Sequence, residues 1–245
     1  MEGLRYFDAH AHMSWYTDAA AAMDECGALG LAGLCCTVDA ADFGRCPQRA
    51  EDDPWAIAAG LHPWWAGEAD LEPAVEAAHN SRFIGEIGLD LGKKHSHTAA
   101  AQLKAFRAMC EAAPDDAILS IHSVTAADKV LDVLTETGAL ARCRCVFHWF
   151  SGTSDELRRA VAAGCWFSVG ESSLATRRGR EYARQIPQAR ILTETDLPEA
   201  PTTPIDAAVH LASLERAVEG IAAARKLSAE QARATLLENA LSLVC

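Results

Sequence analysis

Six side chains of the kinds that bind transition metals stand at the ends of short apolar runs in this 245-residue sequence. They are His10, His12, Glu86, His122, His148 and Asp196. Imidazole combined with carboxylate suits zinc, manganese, iron or cobalt, whereas an all-oxygen set suits magnesium or calcium. A further histidine, His62, follows another apolar run. These residue types, repeated in the same local setting, predict a metal centre.

The first two of these histidines are separated by a single residue, in Asp8-Ala-His-Ala-His12. Successive side chains of a strand alternate in direction, so His10 and His12 are predicted to point the same way, as two ligands of one ion must. Glu86 could bridge two ions through its two carboxylate oxygens. A pair of ions about 3.5–4 Å apart lowers the pKa of a shared water toward about 7, which makes hydroxide available at neutral pH. The predicted chemistry is hydrolysis.

The remaining histidines and the cysteines carry weaker signals. Four histidines lie in predicted helices or loops and are interpreted as surface residues: His79, His95, His97 and His210. The nine cysteines include no C-x-x-C pair and are odd in number, which argues against a disulfide framework. A soft-metal site at Cys143-Arg-Cys145 is a weak alternative to buried thiols, because no second cysteine pair accompanies it.

Eight apolar or β-branched runs are predicted to be the strands that position these residues. They span residues 4–8, 31–38, 55–61, 82–89, 117–122, 143–149, 165–170 and 190–195. Helix-compatible stretches lie between and after them, at 17–30, 68–79, 98–112, 125–138, 154–163, 175–185, 205–225 and 228–241. The last stretch begins with Ser228-Ala-Glu-Gln231, a pattern typical of a helix start. Segment 39–54 is the least helical part of the chain.

Strands that alternate with helices pair in parallel through right-handed crossovers. Eight such units in a chain of this length predict an α/β fold, a single (β/α)8 TIM barrel formed by one domain over residues 1–245. No Gly-x-Gly-x-x-Gly turn follows the first strand, which argues against a dinucleotide-binding sheet. Barrel enzymes keep their active sites at the carboxyl ends of the strands. We therefore expect the predicted ligands to gather there.

The composition limits the partners and the location that we expect. The formal net charge is −12, with 34 acidic residues against 22 Lys and Arg. Duplex nucleic acid, which proteins bind mainly through its phosphates, is therefore a poor general ligand. No run approaches the roughly 20 apolar residues of a membrane span, and Met1-Glu-Gly-Leu-Arg-Tyr-Phe-Asp8 resembles no targeting segment. We expect a soluble, cytoplasmic protein with no membrane partner.

Taken in order, the strand-end motifs resemble the TatD family of metal-dependent hydrolases, a branch of the amidohydrolase superfamily. The likeness covers nearly the whole chain. It rests on Asp8-Ala-His-Ala-His12, Gly60-Leu-His-Pro63, Gly85-Glu-Ile-Gly-Leu-Asp90, Ile121-His-Ser123, His148-Trp-Phe-Ser-Gly152, Glu194-Thr-Asp-Leu-Pro198 and Glu238-Asn239. Members of the superfamily that bridge their ions with a carboxylated lysine carry it at the end of strand four, where this chain has Glu86.

The resemblance implies a role for each predicted site residue. It implies two divalent ions (zinc, manganese, magnesium or similar), one held by His10, His12, Glu86 and Asp196 and the other by Glu86, His122 and His148. Asp196 would also orient the attacking water and take its proton. His62 would contact a substrate phosphate or steady the leaving group. Asp8 and Glu194 would orient the ligand histidines, with loop capping as the alternative interpretation.

The resemblance also implies that the reaction is phosphoester hydrolysis of the deoxyribonuclease type, with single-stranded DNA as the first substrate to expect. Stacking on three tryptophans could hold its bases, although they could equally pack at the barrel mouth: Trp64, Trp65 and Trp149. The chain departs from the family pattern at positions expected to touch substrate, where Val124 replaces an arginine and Leu91-Gly-Lys-Lys94 replaces aromatic residues. Two alternatives stay open: hydrolysis of a carboxylic ester, lactone or amide at the same site, and a non-catalytic metal-binding scaffold.

Overall fold

Strands alternate with helices through the part of the chain that the computed structural model describes, residues 3–50 and 53–244. The strands are β1 (Tyr6–Ala11), β2 (Leu31–Cys36), β3 (Trp55–Ala58), β4 (Phe83–Asp90), β5 (Ile118–Val124), β6 (Arg144–His148), β7 (Trp166–Val169) and β8 (Ile191–Thr193). The helices are α1 (Ala19–Ala28), α2 (Ala40–Arg45), α3 (Leu71–His79), α4 (Ala99–Ala112), α5 (Ala127–Glu136), α6 (Ala139–Arg142), α7 (Ser154–Ala162), α8 (Glu171–Leu174), α9 (Arg177–Gln185), α10 (Ala207–Arg225) and α11 (Ala229–Val244). The predicted alternation of strand and helix is confirmed.

Strand β1 differs most from its predicted bounds, since it ends at Ala11 and the predicted strand ended at residue 8. The polar residues Asp8 and His10 resemble the exit from a strand in the sequence. Both are fully buried, and the extended backbone continues through them. Segment 39–54 contains the short helix α2, which the sequence did not predict. The carboxylate of Asp39 caps its first turn by accepting the backbone N–H of Asp42 at 2.7 Å.

The chain divides into two compact units. Unit 1 comprises Met1–Cys35, Cys46–Ile57 and Phe167–Cys245, and unit 2 comprises Cys36–Arg45 and Ala58–Trp166. The single domain predicted over residues 1–245 stays a prediction. Residues 1, 2, 51, 52 and 245 lie outside the described residues.

In unit 1, β1 pairs in parallel with β2, and β7 pairs in parallel with β8. The hydroxyl of Thr193 on β8 donates to the carbonyl oxygen of Phe7 at 2.8 Å, which places β8 beside β1. A hydrophobic cluster of this unit includes the fully buried side chains of Met23, Trp55 and Leu214. Burial of one large apolar side chain contributes roughly 1.5–3 kcal/mol. The cluster therefore supports the frame from which the carboxyl ends of β1 and β8 project.

In unit 2, β4 pairs with β5 and β5 pairs with β6, both in parallel. Two glycines permit close approach of the backbone around β4. A Cβ atom on Gly88, whose φ is +140°, would lie 2.1 Å from the carbonyl oxygen of His122. A Cβ atom on Gly60 would lie 2.6 Å from the backbone nitrogen of Glu86. Glycine at these positions therefore lets the backbone that carries Glu86 and His122 pack closely.

The start of the last helix agrees with its sequence-based expectation. Helix α11 begins as predicted, because the Ser228 hydroxyl accepts the backbone N–H of Gln231 at 3.1 Å while the Gln231 side chain accepts that of Ser228 at 3.0 Å. This reciprocal pair satisfies two backbone donors that a helix start would otherwise expose. Among the described residues, no helix combines the length and the apolar character that crossing a membrane requires.

Candidate metal centre

In unit 1, the ends of β1 and β8 bring two imidazoles and a carboxylate together. His10 Nε2 lies 3.5 Å and His12 Nε2 lies 3.4 Å from the same oxygen, Oδ1 of Asp196. The prediction that the two histidines point the same way is therefore confirmed. The backbone N–H of Asp196 donates to the carbonyl oxygen of His10 at 2.9 Å, so the two strand ends are tied directly at the site.

The buried carboxylate of Asp8 reinforces this tie. Its Oδ1 accepts the backbone N–H of Thr195 at 2.9 Å and that of His10 at 3.3 Å. Its Oδ2 accepts the Thr195 hydroxyl at 2.6 Å and lies 3.3 Å from Nδ1 of His210. Asp8 thus contacts the backbone of both strand ends, and its role in orienting His10 stays a prediction.

His210 lies in the interior, so its interpretation as a surface residue is wrong. Its side chain has no exposed area, and its ring lies 5.7 Å from that of Tyr16. It occupies the buried stripe of α10 together with Leu214 and Ala217. The spacing i, i+4, i+7 is the signal that could have identified this position as buried. Of the other three, His79 and His97 are exposed as expected, and His95 is half-buried.

Glu194, the other residue implied to orient a ligand, contacts a neighbouring strand of unit 1. The hydroxyl of Ser168 on β7 donates to its Oε2. Glu194 is buried, so this contact satisfies one oxygen of an otherwise costly buried carboxylate.

In unit 2, three histidines surround one oxygen of the buried Glu86. Oε1 of Glu86 lies 2.6 Å from His122 Nδ1, 2.9 Å from His148 Nε2 and 3.2 Å from His62 Nε2. Ligand atoms of His62, Glu86 and His122 all lie within 4.8 Å of one another, the spacing of a group that could hold an ion. Sequence reasoning placed all four residues at strand ends, and unit 2 brings them together.

The hydrogen bonds of His62 distinguish it from the other two histidines. Its Nδ1 accepts the backbone N–H of Trp64 at 3.1 Å. A backbone amide can only donate, so Nδ1 carries the lone pair, and neutral His62 carries its proton on Nε2. In this tautomer Nε2–H points at Glu86 as a donor. That His62 is not a ligand stays a prediction, because its Nε2 also lies among the donor atoms grouped around Glu86.

The donor set fits a divalent transition-metal ion. Unit 2 offers the Glu86 carboxylate with His122 Nδ1 and His148 Nε2, and unit 1 offers the Asp196 carboxylate with His10 Nε2 and His12 Nε2. Each is the mixed imidazole and carboxylate set that zinc, manganese or cobalt prefers. Five of these six side chains are buried, and Asp196 is partly exposed. Burial of charged or polar groups without partners is costly.

Asp90, a residue to which the sequence assigned no role of its own, contacts His122 from the side opposite Glu86. Its Oδ2 lies 3.6 Å from His122 Nε2 and accepts the indole N–H of Trp64 at 2.7 Å. Burial alone would raise the pKa of Asp90, but its contacts with His122, Trp64 and the backbone N–H of Gly92 outweigh this and hold it well below its usual range. Burial alone would lower the pKa of His122, and the contacts with Asp90 and Glu86 raise it instead.

Two of the three tryptophans considered for base stacking are exposed. Trp64 is 42% and Trp149 is 40% exposed, whereas Trp65 is half-buried. The Trp64 ring stacks on that of His95 with centroids 4.6 Å apart, and Lys94 Nζ lies 5.6 Å from the ring centre. The exposed Trp64, which follows β3, therefore lies against Lys94 and His95 of the loop that follows β4, all within unit 2.

Comparison with known proteins connects this arrangement to one family. Residues 7–244 match the family model described as TatD related DNase. The "3'-5' ssDNA/RNA exonuclease TatD" of Erwinia billingiae is 35% identical over 159 residues, which are 59% of this chain and 58% of that protein. Alignments with the first curated relatives cover 50 to 58% of those proteins, so this chain spans little more than half of their length.

Solved structures share the fold. The TatD homologue YjjV of Escherichia coli K12 superposes with a TM-score of 0.73 at 24% identity, covering 98% of this chain and 97% of that one. A TatD family hydrolase of Entamoeba histolytica superposes with a TM-score of 0.81 at 17% identity, covering 99% of each chain. The predicted fold class, α/β of the (β/α)8 TIM-barrel type, is confirmed by this likeness.

Proposed function

The chain belongs to the family of TatD-related DNases, and we propose that it is a metal-dependent hydrolase that cleaves phosphoester bonds of single-stranded nucleic acid. The observation that carries the proposal is the convergence of His62, His122 and His148 on one oxygen of the buried Glu86. Imidazole beside a buried carboxylate is a donor set for a divalent ion. We further propose that residues 1–245 form one domain with this activity.

The proposed ligands number six, and we propose that they hold two divalent ions. They are His10, His12 and Asp196 of unit 1 and Glu86, His122 and His148 of unit 2. Zinc or manganese suits these donors best, and magnesium is the weaker candidate because imidazole nitrogen is a poor ligand for it. When bound, such ions activate a water molecule at neutral pH and neutralise negative charge on a phosphate.

Two side chains are proposed to act on substrate and water. Nε2–H of His62 is a fixed donor, because its Nδ1 is held by the backbone N–H of Trp64, and it is suited to donate to a phosphate oxygen or to the leaving oxygen. Asp196 is the only proposed ligand of the described chain that is not buried. Its carboxylate is therefore suited to orient a water molecule and accept its proton.

Single-stranded nucleic acid is the proposed substrate class for two reasons. The name of the Erwinia relative specifies an exonuclease for single-stranded DNA and RNA. In this chain the exposed Trp149 follows the proposed ligand His148, and the exposed Trp64 lies two residues after His62. Each stacked base contributes about 1–3 kcal/mol without sequence preference. A net charge of −12 disfavours long duplexes. A cytoplasmic location stays part of this proposal.

The test uses the full chain loaded with zinc or manganese and a labelled single-stranded oligonucleotide. His122→Ala removes a proposed ligand, and His79→Ala, an exposed histidine of α3, serves as the matched control. We expect metal-dependent cleavage by the wild type and by His79→Ala, and none by His122→Ala. Equal cleavage by wild type and His122→Ala would refute the proposal. Turnover of a carboxylic ester, lactone or amide panel without cleavage of the oligonucleotide would replace the proposed substrate while keeping the site.

A further inference from the structure

We propose that Trp64 is a positioning residue for the metal ligand His122 and that it acts through Asp90. The inference rests on the proposed role of His122 as a ligand. All residues involved belong to unit 2. Trp64 is largely exposed, whereas Asp90 and His122 are buried. The chain Trp64–Asp90–His122 therefore runs from the surface to a ligand.

The carboxylate of Asp90 is held by three contacts. Oδ2 accepts the indole N–H of Trp64 at 2.7 Å and faces His122 Nε2 at 3.6 Å. Oδ1 accepts the backbone N–H of Gly92 at 2.9 Å. The indole N–H of Trp64 donates to the same oxygen that faces His122. Its loss leaves Oδ2 of Asp90 free to turn away from the imidazole.

The backbone of Asp90 is fixed independently by Gln102, a fully buried residue of α4. The Gln102 amide accepts the N–H of Asp90 at 2.8 Å and donates to its carbonyl oxygen at 3.0 Å. It also donates to the carbonyl oxygen of His95 at 2.9 Å, at the far end of the same loop. Because the backbone of Asp90 is fixed in this way, the contact with Trp64 determines the side-chain rotamer of Asp90.

The chemistry of a ligand histidine explains why this rotamer matters. His122 presents Nδ1 toward Glu86 at 2.6 Å, so Nδ1 is the nitrogen that would bind an ion and must carry a lone pair. Its proton then resides on Nε2, which is buried and requires an acceptor. Oδ2 of Asp90, 3.6 Å from that nitrogen, is the carboxylate oxygen that faces it. Removal of such a partner commonly reduces metal affinity about 10- to 100-fold.

The experiment compares Trp64→Phe with Trp65→Phe in the full chain. Both variants remove an indole N–H and keep an aromatic ring, but only Trp64 donates to Asp90. Zinc affinity is measured by competition with a chromophoric chelator, and the melting temperature is measured without metal. We expect Trp64→Phe to weaken zinc binding about tenfold and Trp65→Phe to leave it unchanged. In zinc-loaded protein, NMR should show the Nε2–H proton of His122 exchanging faster in Trp64→Phe than in wild type.

Asp90→Ala provides the second variant and tests whether Trp64 acts through Asp90. If it does, Asp90→Ala combined with Trp64→Phe weakens zinc binding no more than Asp90→Ala alone, because the two substitutions break one contact chain. Additive losses would overturn the inference, as would equal losses in Trp64→Phe and Trp65→Phe. If Trp64→Phe binds zinc with wild-type affinity while His122→Ala loses zinc, the inference is overturned and the proposed function stays intact. Wild-type affinity in His122→Ala refutes the proposed function itself.

Discussion

Replacement of Asp8 by alanine tests how strongly one buried carboxylate holds the strand ends of unit 1. Its two oxygens accept the backbone N–H of Thr195 at 2.9 Å, the Thr195 hydroxyl at 2.6 Å and the backbone N–H of His10 at 3.3 Å. Asp8→Ala leaves these groups buried without that acceptor. Each hydrogen bond to a charged group contributes about 1.5–3 kcal/mol. Counting only the two short bonds from Thr195, we expect a loss of about 4 kcal/mol in the free energy of unfolding.

Asp18→Ala is the matched control for this substitution. The Asp18 carboxylate accepts a single backbone N–H, that of Ala21 at 3.0 Å, at the exposed start of α1. Loss of a helix cap of this kind costs about 1 kcal/mol. Urea unfolding in the presence of a chelator measures the free energy of unfolding of both variants without any contribution from bound metal. If Asp8→Ala lowers the free energy of unfolding no more than Asp18→Ala does, the reasoning that the Asp8 carboxylate connects β1 to β8 is refuted.

Three further predictions concern other parts of the chain. Thr153→Ala removes the cap of α7, a capping box with Glu156, and should cost about 1 kcal/mol in urea unfolding near pH 7. Burial alone would raise the pKa of Glu156, but its hydrogen bonds from Thr153 lower it. The capping box therefore stabilises the fold above the unfolded pKa of about 4.3, and this stabilisation should fade as pH falls through the lowered folded pKa. A loss of unfolding free energy in Thr153→Ala that grows on acidification would contradict this. Gly88→Ala places a Cβ atom 2.1 Å from the His122 carbonyl oxygen at a φ of +140°, so we expect it to lower the free energy of unfolding by more than about 2 kcal/mol. A smaller decrease would argue against that close approach. Burial raises the pKa of Cys26 to about 12, so iodoacetamide at pH 8 should leave this thiol unmodified in the native chain by mass spectrometry, and rapid native labelling would count against its burial.

The features that follow from local spacing were predictable from the sequence. Alternation along a strand requires His10 and His12 to share a face, and both reach the same oxygen of Asp196. Polar residues after apolar runs likewise pointed to Glu86 and His122, although both lie inside their strands, four and two residues before the ends of β4 and β5. These predictions needed only the geometry of a single element.

The features that depend on contacts between distant segments were not predictable in the same way. Gln102 lies in an alanine-rich helix, and nothing in its surroundings indicates that its amide holds the backbone of Asp90. The tautomer of His62 depends on the backbone N–H of Trp64, which no sequence pattern reports. The interpretation of His210 as a surface residue rests only on its place in a predicted helix, and its position on the buried stripe of α10 places it inside.

Counting bound metal tests the central claim most directly. Protein purified without chelators is saturated with zinc, freed of excess ion and analysed by elemental mass spectrometry, beside His10→Ala and His122→Ala, each of which removes one proposed ligand. We predict two zinc ions per wild-type chain and a smaller number in each variant. A wild-type chain that retains no more zinc than the variants do would contradict it.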